Sequence, residues 1–253
     1  MSITKIILFF KVQWLKTIVF NFFYLPIWQA IHLPFFIYKG CKCFSFSHNG
    51  KIILDVLPHQ LCTGMIKLGI KHEETCISKQ GVVLQNNGTI IFKGCGVIGN
   101  GTIFSIKKNA TLSIGENFGI TGDLKLHCHN SINIGNHFSC SWNVSISDTD
   151  FHPTVNLITG RQNPLTAPII INHGVWICPN TTIQKGSILP PFCIVASNSL
   201  VNKQYELQDF SVIGGIPAKP LNIKIRNEDI WNNYQDKNFK ITRGLSSKFP
   251  ILG

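Results

Sequence analysis

The stretch SISDTDFHPTVN, residues 145–156, places two aspartates and one histidine within five positions. A histidine side chain has an unperturbed pKa of about 6.5, so a neutral imidazole is available to accept a proton from an attacking hydroxyl. A carboxylate bonded to the far ring nitrogen would orient such a base. Asp148, Asp150 and His152 share parity along an extended chain, so both acids stay open as that partner, and we favour Asp148. The alternative is an ordinary loop histidine facing solvent.

A second histidine pair lies in KLHCHN, residues 125–130. On a strand, His127 and His129 share one face and Cys128 points to the other. Two imidazoles on one face could bind zinc, but catalytic zinc needs a third protein ligand that the spacing does not supply. We therefore predict no metal, and expect the pair to form a wall of a sugar pocket or a plain surface pair.

Composition favours a β-rich intracellular protein. The 253 residues include only 14% charged residues, and the nine cysteines contain no C-x-x-C pair. This cysteine pattern and the lack of a signal-peptide pattern predict a reduced, cytoplasmic setting. The net charge is +11, but basic and aromatic residues do not alternate on candidate surface strands, so we expect no nucleic-acid partner.

Residues 1–54 form a basic, apolar segment in which no acidic residue precedes Asp55. Its centre, TIVFNFFYLPIWQAIHLPFFIY at residues 17–38, lies between Lys16 and Lys39. The length would allow a membrane span, but two prolines and several polar residues argue against one continuous helix. The segment is typical of an interfacial element on the inner face of a membrane, or of helices that pack on protein.

From Ile98 onward, apolar residues recur every six positions in two series, which we call the combs. The first comb is Ile114, Ile120, Leu126, Ile132, Phe138 and Val144, and the second is Ile171, Ile177, Ile183, Leu189, Val195, Val201, Leu207 and Ile213. This period predicts an all-β fold, a parallel β-helix in which three short sides make one coil. We place the solenoid at 55–220 with a loop insertion at 147–168, and a C-terminal tail at 221–253, where NEDIWNNYQDK predicts a short helix.

The segment GVWICPNTTIQKGSILPPFCIVASNSLVNK, followed by IGGIPAKP, resembles the hexapeptide-repeat acyltransferases. SDTDFHP and PLTAPIII, on either side of the insertion, look like the branch that acetylates surface polysaccharides. The resemblance implies a left-handed β-helix, a homotrimer with sites between subunits, and acetyl-CoA as the acetyl donor. The chain departs from the family pattern at Cys178, Ala196 and Asn198, where glycines are usual, and at Ile216, where asparagine is usual.

Matched by position, the resemblance makes His152 the catalytic base. It implies contacts to the coenzyme from six residues: Trp176, Pro179, Ser197, Asn202, Lys203 and Lys219. Trp176 would border the acyl pocket, or else be a buried core tryptophan. The expected reaction is O-acetylation of a surface or lipid-linked glycan. Open alternatives are a soluble acetyltransferase for a small acceptor, an amino-sugar N-acetyltransferase and a non-catalytic scaffold.

Overall fold

The structure, a computed structural model, describes residues 9–43, 50–70 and 78–235. Its helices are α1 (Trp14–Tyr24), α2 (Ile27–Ala30), a 3-10 helix (Pro58–Gln60) and α3 (Glu228–Gln235). The strands, in chain order, are β1 (Phe35–Ile37), β2 (Lys42–Cys43), β3 (Lys51–Leu54), β4 (Ile66–Ile70), β5 (Val83–Asn86), β6 (Thr89–Phe92), β7 (Gly96–Gly99), β8 (Ile103–Ile106), β9 (Thr111–Ile114), β10 (Phe118–Gly122), β11 (Lys125–Cys128), β12 (Ser131–Ile134), β13 (Ser139–Trp142), β14 (Ser145–Ser147), β15 (Ile169–Ile171), β16 (Trp176–Ile177), β17 (Thr182–Gln184), β18 (Ile188–Leu189), β19 (Ile194–Val195), β20 (Leu200–Val201), β21 (Ser211–Gly215) and β22 (Ala218–Lys224).

Three sheets form the walls of a prism, because each strand from β1 to β17 pairs in parallel with the strand three places later, and β19 then pairs in parallel with β21. Sheet A has the order β1-β4-β7-β10-β13-β16-β19-β21-β22, sheet B has β2-β5-β8-β11-β14-β17-β20, and sheet C has β3-β6-β9-β12-β15-β18. This is the left-handed parallel β-helix predicted from the sequence. The exception is β22, which turns back antiparallel to β21 and ends sheet A.

The combs fill the axis of the prism, as predicted. Every comb residue except the half-buried Leu207 is buried in one continuous apolar core. Seven described cysteines are free, and Cys140 and Cys193 are fully buried in that core, as expected for small apolar residues. The predicted C-terminal helix is also confirmed, as α3.

The first coil begins earlier than the sequence indicated. Strands β1–β3 already pair with β4–β6, so the boundary placed at residue 55 lies inside the solenoid. This coil uses Phe35, Ile37 and Ile52 as inward residues, and these do not continue the six-residue comb. Helices α1 and α2 lie across its open end, and α1 packs on β1 and β3.

Three corners join the sheets. Corner AB carries residues 143–144, 178–181 and 196–199, and corner BC carries 129–130, 148–168, 185–187 and 202–204. Asn143, Asn180 and Asn198 stand in successive coils of corner AB with φ of 54°, 59° and 57°. Asparagine tolerates this left-handed conformation, so Asn198 serves where a glycine would be usual. Cys178 and Ala196 have no positive φ, and their backbone does not require glycine.

Candidate active site

The loop 148–168 replaces the short turn between β14 and β15 at corner BC. It folds back on itself as a hairpin, with antiparallel bridges Thr149–Thr166 and Val155–Gln162. Its ends are held close, because the Ala167 amide donates to the Asp148 carbonyl at 3.0 Å. The sequence break between Ile146 and Ile169 is therefore an ordered projection from the solenoid.

Asp148 fastens the start of the loop to the coil below. Its side chain is fully buried, Oδ1 accepts the His129 amide at 2.7 Å and Oδ2 accepts the Asn130 amide at 2.8 Å. Burial first, and then the charge of Asp148, raise the pKa of the neighbouring Cys128 thiol. Each carboxylate oxygen accepts a backbone amide of corner BC, so Asp148 anchors that corner, and the preference for Asp148 as the partner of His152 stays a prediction.

Asp150 holds the loop to the coil above. Its Oδ2 lies 2.5 Å from Lys185 Nζ, and Lys185 also donates to the Pro164 carbonyl. The Asp150 backbone carbonyl accepts the His152 amide at 2.7 Å. Asp150 is thus joined to His152 through the backbone, while its carboxylate faces Lys185.

His152 is exposed on the loop, and within the part of the chain that the structure describes its imidazole makes no hydrogen bond, ion pair or ring contact. The adjacent Phe151 adopts φ of +62°, with its amide bonded to Thr149 Oγ1 at 3.0 Å. A positive φ is uncommon for a bulky residue, and Phe192 and Phe210 share it elsewhere in the structure. The sequence gives no signal for this conformation, and Phe151 and Lys185 were missed as site residues.

Phe151 brings the loop against the histidine pair of β11 and the following turn. Its ring meets His127 edge-on at 5.2 Å and His129 at 5.3 Å. Burial, followed by the positive charges of His129 and Lys125, lowers the pKa of His127. Burial also lowers the pKa of His129. The lowered pKa values favour the neutral form of both imidazoles, which form a half-buried wall beside the residue that precedes His152.

Five of the six residues matched to coenzyme contacts lie at three places: corner AB, strand β22 and corner BC. Pro179 and Ser197 stack in successive coils of corner AB, where the Asn198 amide donates to the Pro179 carbonyl at 3.1 Å. Lys219 is exposed on β22, opposite Gly214. Asn202 and Lys203 are exposed at corner BC, above Lys185. One subunit does not gather all of them at a single point.

Trp176 lies on sheet A and is half-buried, so it is not a fully buried core tryptophan. Its Nε1 donates to Ser141 Oγ at 3.3 Å. It lines a cavity of about 230 Å³ between sheet A and α3, together with His137 and Asp229. Across residues 9–43, 50–70 and 78–235, no group of three His, Cys, Asp or Glu side chains is placed to hold a metal ion.

No model of a known protein family matches the sequence. The chain is similar to the galactoside O-acetyltransferase of Escherichia coli strain K12, at 24% identity over 132 residues. This match covers 52% of the chain and 62% of the relative, which is less than two thirds of that relative's length.

Among solved structures, the polySia-specific acetyltransferase NeuO aligns with a TM-score of 0.54 and 17% identity, over 80% of this chain and 82% of the other. The polysialic acid O-acetyltransferase OatWY aligns with a TM-score of 0.35 and 22% identity, over 80% and 84%. The likeness to NeuO shows that the two chains share their fold.

Proposed function

We propose that this protein is an O-acetyltransferase that moves an acetyl group from acetyl-CoA to a sugar hydroxyl of a surface polysaccharide or lipid-linked glycan. The observation that carries the proposal is the setting of His152. Loop 148–168 is anchored to the coils on both sides, and it presents this exposed imidazole next to Phe151 and the half-buried pair His127 and His129.

His152 is the general base of the proposed reaction. Acetyl-CoA supplies an acetyl group activated as a thioester. The neutral imidazole takes the proton of the acceptor hydroxyl as the oxygen attacks the carbonyl carbon, and returns that proton to the departing sulfur. The products are an acetyl ester and the free thiol. Of the two acids considered for orienting the base, we propose Asp150, because its carboxylate is partly exposed whereas that of Asp148 is enclosed.

The coenzyme is proposed to lie between subunits of a homotrimer. Pro179 and Ser197 stand on corner AB, whereas Lys203 and the loop stand on corner BC. In a closed three-fold assembly, one edge of each subunit faces a different edge of its neighbour, so two such corners can meet across the interface. Lys203 and Lys219 carry exposed ammonium groups suited to the coenzyme phosphates. Lys203 Nζ lies 5.3 Å from the centre of the Tyr205 ring.

A sugar acceptor agrees with the proteins that this chain is similar to, one named for galactosides and one for polySia. His127 and His129 are proposed to border the acceptor, since they flank Phe151 on the side of the loop that faces the solenoid. A cytoplasmic location is part of the proposal, and it is supported by the free thiols of the seven cysteines in the described part of the chain.

The test is acetyl transfer by the purified protein from isotope-labelled acetyl-CoA to oligosaccharides with and without free amino groups. We expect label on the glycan as an alkali-labile ester. Alkali-stable label that requires an amino group would replace the proposal with N-acetylation. A protein that neither binds acetyl-CoA nor labels any acceptor would be a non-catalytic scaffold.

A further inference from the structure

Helix α1 has an unusual arrangement, because its buried side is partly polar and its exposed side is apolar. Thr17 and Asn21 are fully buried beside Phe20. A helix on the surface of a globular protein normally turns its apolar stripe inward and its polar residues to water. The buried polar residues of α1 therefore need hydrogen-bond partners inside the protein, and its exposed apolar residues need a binding partner outside the protein.

The inner partners are backbone groups at the open end of the solenoid. Asn21 Nδ2 donates to the Phe35 carbonyl at 2.8 Å, and the Phe35 amide donates to Asn21 Oδ1 at 3.0 Å. The Ile37 amide donates to Thr17 Oγ1 at 3.1 Å. On sheet C, Gln29 Nε2 of α2 donates to the Leu54 carbonyl at 2.9 Å. An edge strand leaves such groups unpaired, so these side chains complete strands that have no further coil to bond.

The outward side of α1 and α2 carries many exposed apolar side chains, and we call this surface the end face. On α1 its principal residues follow the spacing i, i+3 and i+7 of one helix side. Its principal members, with exposed fractions between 44% and 77%, are Leu15, Ile18, Phe22, Ile27, Trp28 and Ile31. Contiguous exposed apolar surface marks a site of interaction with a protein or a membrane.

Positive charge borders the end face. Lys11, Lys16 and Lys39 are exposed at its margins, and the sequence holds no acidic residue before Asp55. Two copies that met through this face would bring like charges together. An anionic bilayer offers both an apolar interior for the aromatic and aliphatic side chains and negative headgroups for the lysines.

We propose that the end face lies in the headgroup region of an anionic membrane, so that the solenoid stands on the bilayer on its first coil. The elements concerned are short, and none of the described helices is long and apolar enough to cross a membrane. The helices therefore lie along the surface, with their polar side bonded to the solenoid and their apolar side in lipid.

This orientation sets the height of the candidate active site, a consequence that rests on the proposed function. Strand β13, in the coil that carries the loop, is the fifth strand of sheet A counted from β1. Neighbouring strands lie about 4.8 Å apart, so the loop stands about 19 Å beyond the first coil. A hydroxyl several sugars away from a lipid anchor would meet His152 at that height.

The experiment is flotation of the full-length protein with vesicles of phosphatidylcholine alone or mixed with phosphatidylglycerol. We expect strong binding to the mixed vesicles and weak binding to neutral ones. Leu15→Gln/Ile27→Gln removes two highly exposed apolar side chains and should weaken binding at least about tenfold. Lys11→Gln/Lys39→Gln should weaken binding to anionic vesicles about fivefold per charge.

The matched control is Leu157→Gln/Ile158→Gln, which changes the two most exposed apolar residues of the loop and should leave flotation unchanged. Thermal unfolding of each variant checks that the fold is kept. The proposal is overturned if the wild-type protein floats with neither vesicle, or if all three variants float equally well. It is also overturned if light scattering shows a larger assembly that Leu15→Gln/Ile27→Gln dissolves, because the end face would then bind a second copy. None of these outcomes bears on acetyl transfer in solution.

Discussion

The variant Asp148→Asn tests whether Asp148 anchors the loop or orients the catalytic base. The aspartate is fully buried and accepts two backbone amides, one on each oxygen. Asparagine keeps one acceptor but turns an amino group toward the other backbone N–H. One charge-assisted hydrogen bond is lost, the remaining bond becomes neutral, and one partly buried N–H has no acceptor.

The expected loss in the free energy of unfolding is about 3–5 kcal/mol. A hydrogen bond to a charged group contributes about 1.5–3 kcal/mol, and an unsatisfied buried donor costs about 1–3 kcal/mol. Urea unfolding at matched protein concentration measures this loss, because subunit association also contributes to apparent stability. Limited proteolysis should show faster cleavage within loop 148–168, whose start Asp148 fastens.

Asp150→Asn is the matched control. Its carboxylate is 38% exposed and pairs with Lys185, so its loss should cost no more than about 1 kcal/mol. If Asp148→Asn were as stable as wild type and as resistant to protease, the anchoring role would be refuted. If it also shifted the pH dependence of turnover, Asp148 would be the partner of His152 after all.

Two further predictions concern His137, in the cavity between sheet A and α3, and the binding of the coenzyme. Burial, followed by the charge of His173, lowers the pKa of His137 to about 4, so the unfolded chain binds the extra proton between pH 6.5 and pH 4. The free energy of unfolding should therefore decrease as the pH is lowered through that window, by about 2–3 kcal/mol at pH 4.5. In urea unfolding, His137→Asn should remove this pH dependence. A variant with unchanged pH dependence would contradict the prediction. Lys203→Ala or Lys219→Ala should raise the KM for acetyl-CoA several-fold and leave kcat nearly unchanged. The control variant Lys93→Ala should change neither constant. An equal fall in kcat and kcat/KM would exclude a role in coenzyme binding alone.

The repeating part of the fold was predictable because each coil needs apolar residues at the same positions to fill the axis of the solenoid. Comb residues such as Ile132 and Ile183 face the axis wherever the six-residue period holds, and both are fully buried. The first coil was not predictable from that period. Its inward residues include Phe35, and its open end is closed by Thr17 and Asn21, which match strand edges that only the folded chain creates.

The position of the candidate site in the fold was predictable from the sequence, but the contacts of its individual residues were less so. The interruption of the combs correctly placed a loop with His152 beside the coil of His127 and His129. Parity along the chain could not separate Asp148 from Asp150. Asp148 bonds to backbone amides contributed by the preceding coil, and this contact depends on how coils stack. The positive φ of Phe151 likewise follows from the hairpin as a whole.

The turnover number of His152→Ala decides whether this histidine is the base. We expect kcat for acetyl transfer to fall by a factor of about 10² to 10⁴, with the Kd for acetyl-CoA measured by calorimetry almost unchanged. His59→Ala, a change to another exposed histidine far along the chain, serves as the matched control and should keep wild-type turnover. A His152→Ala enzyme with near-normal kcat would contradict the assignment, and would make His127 or His129 the next base to test.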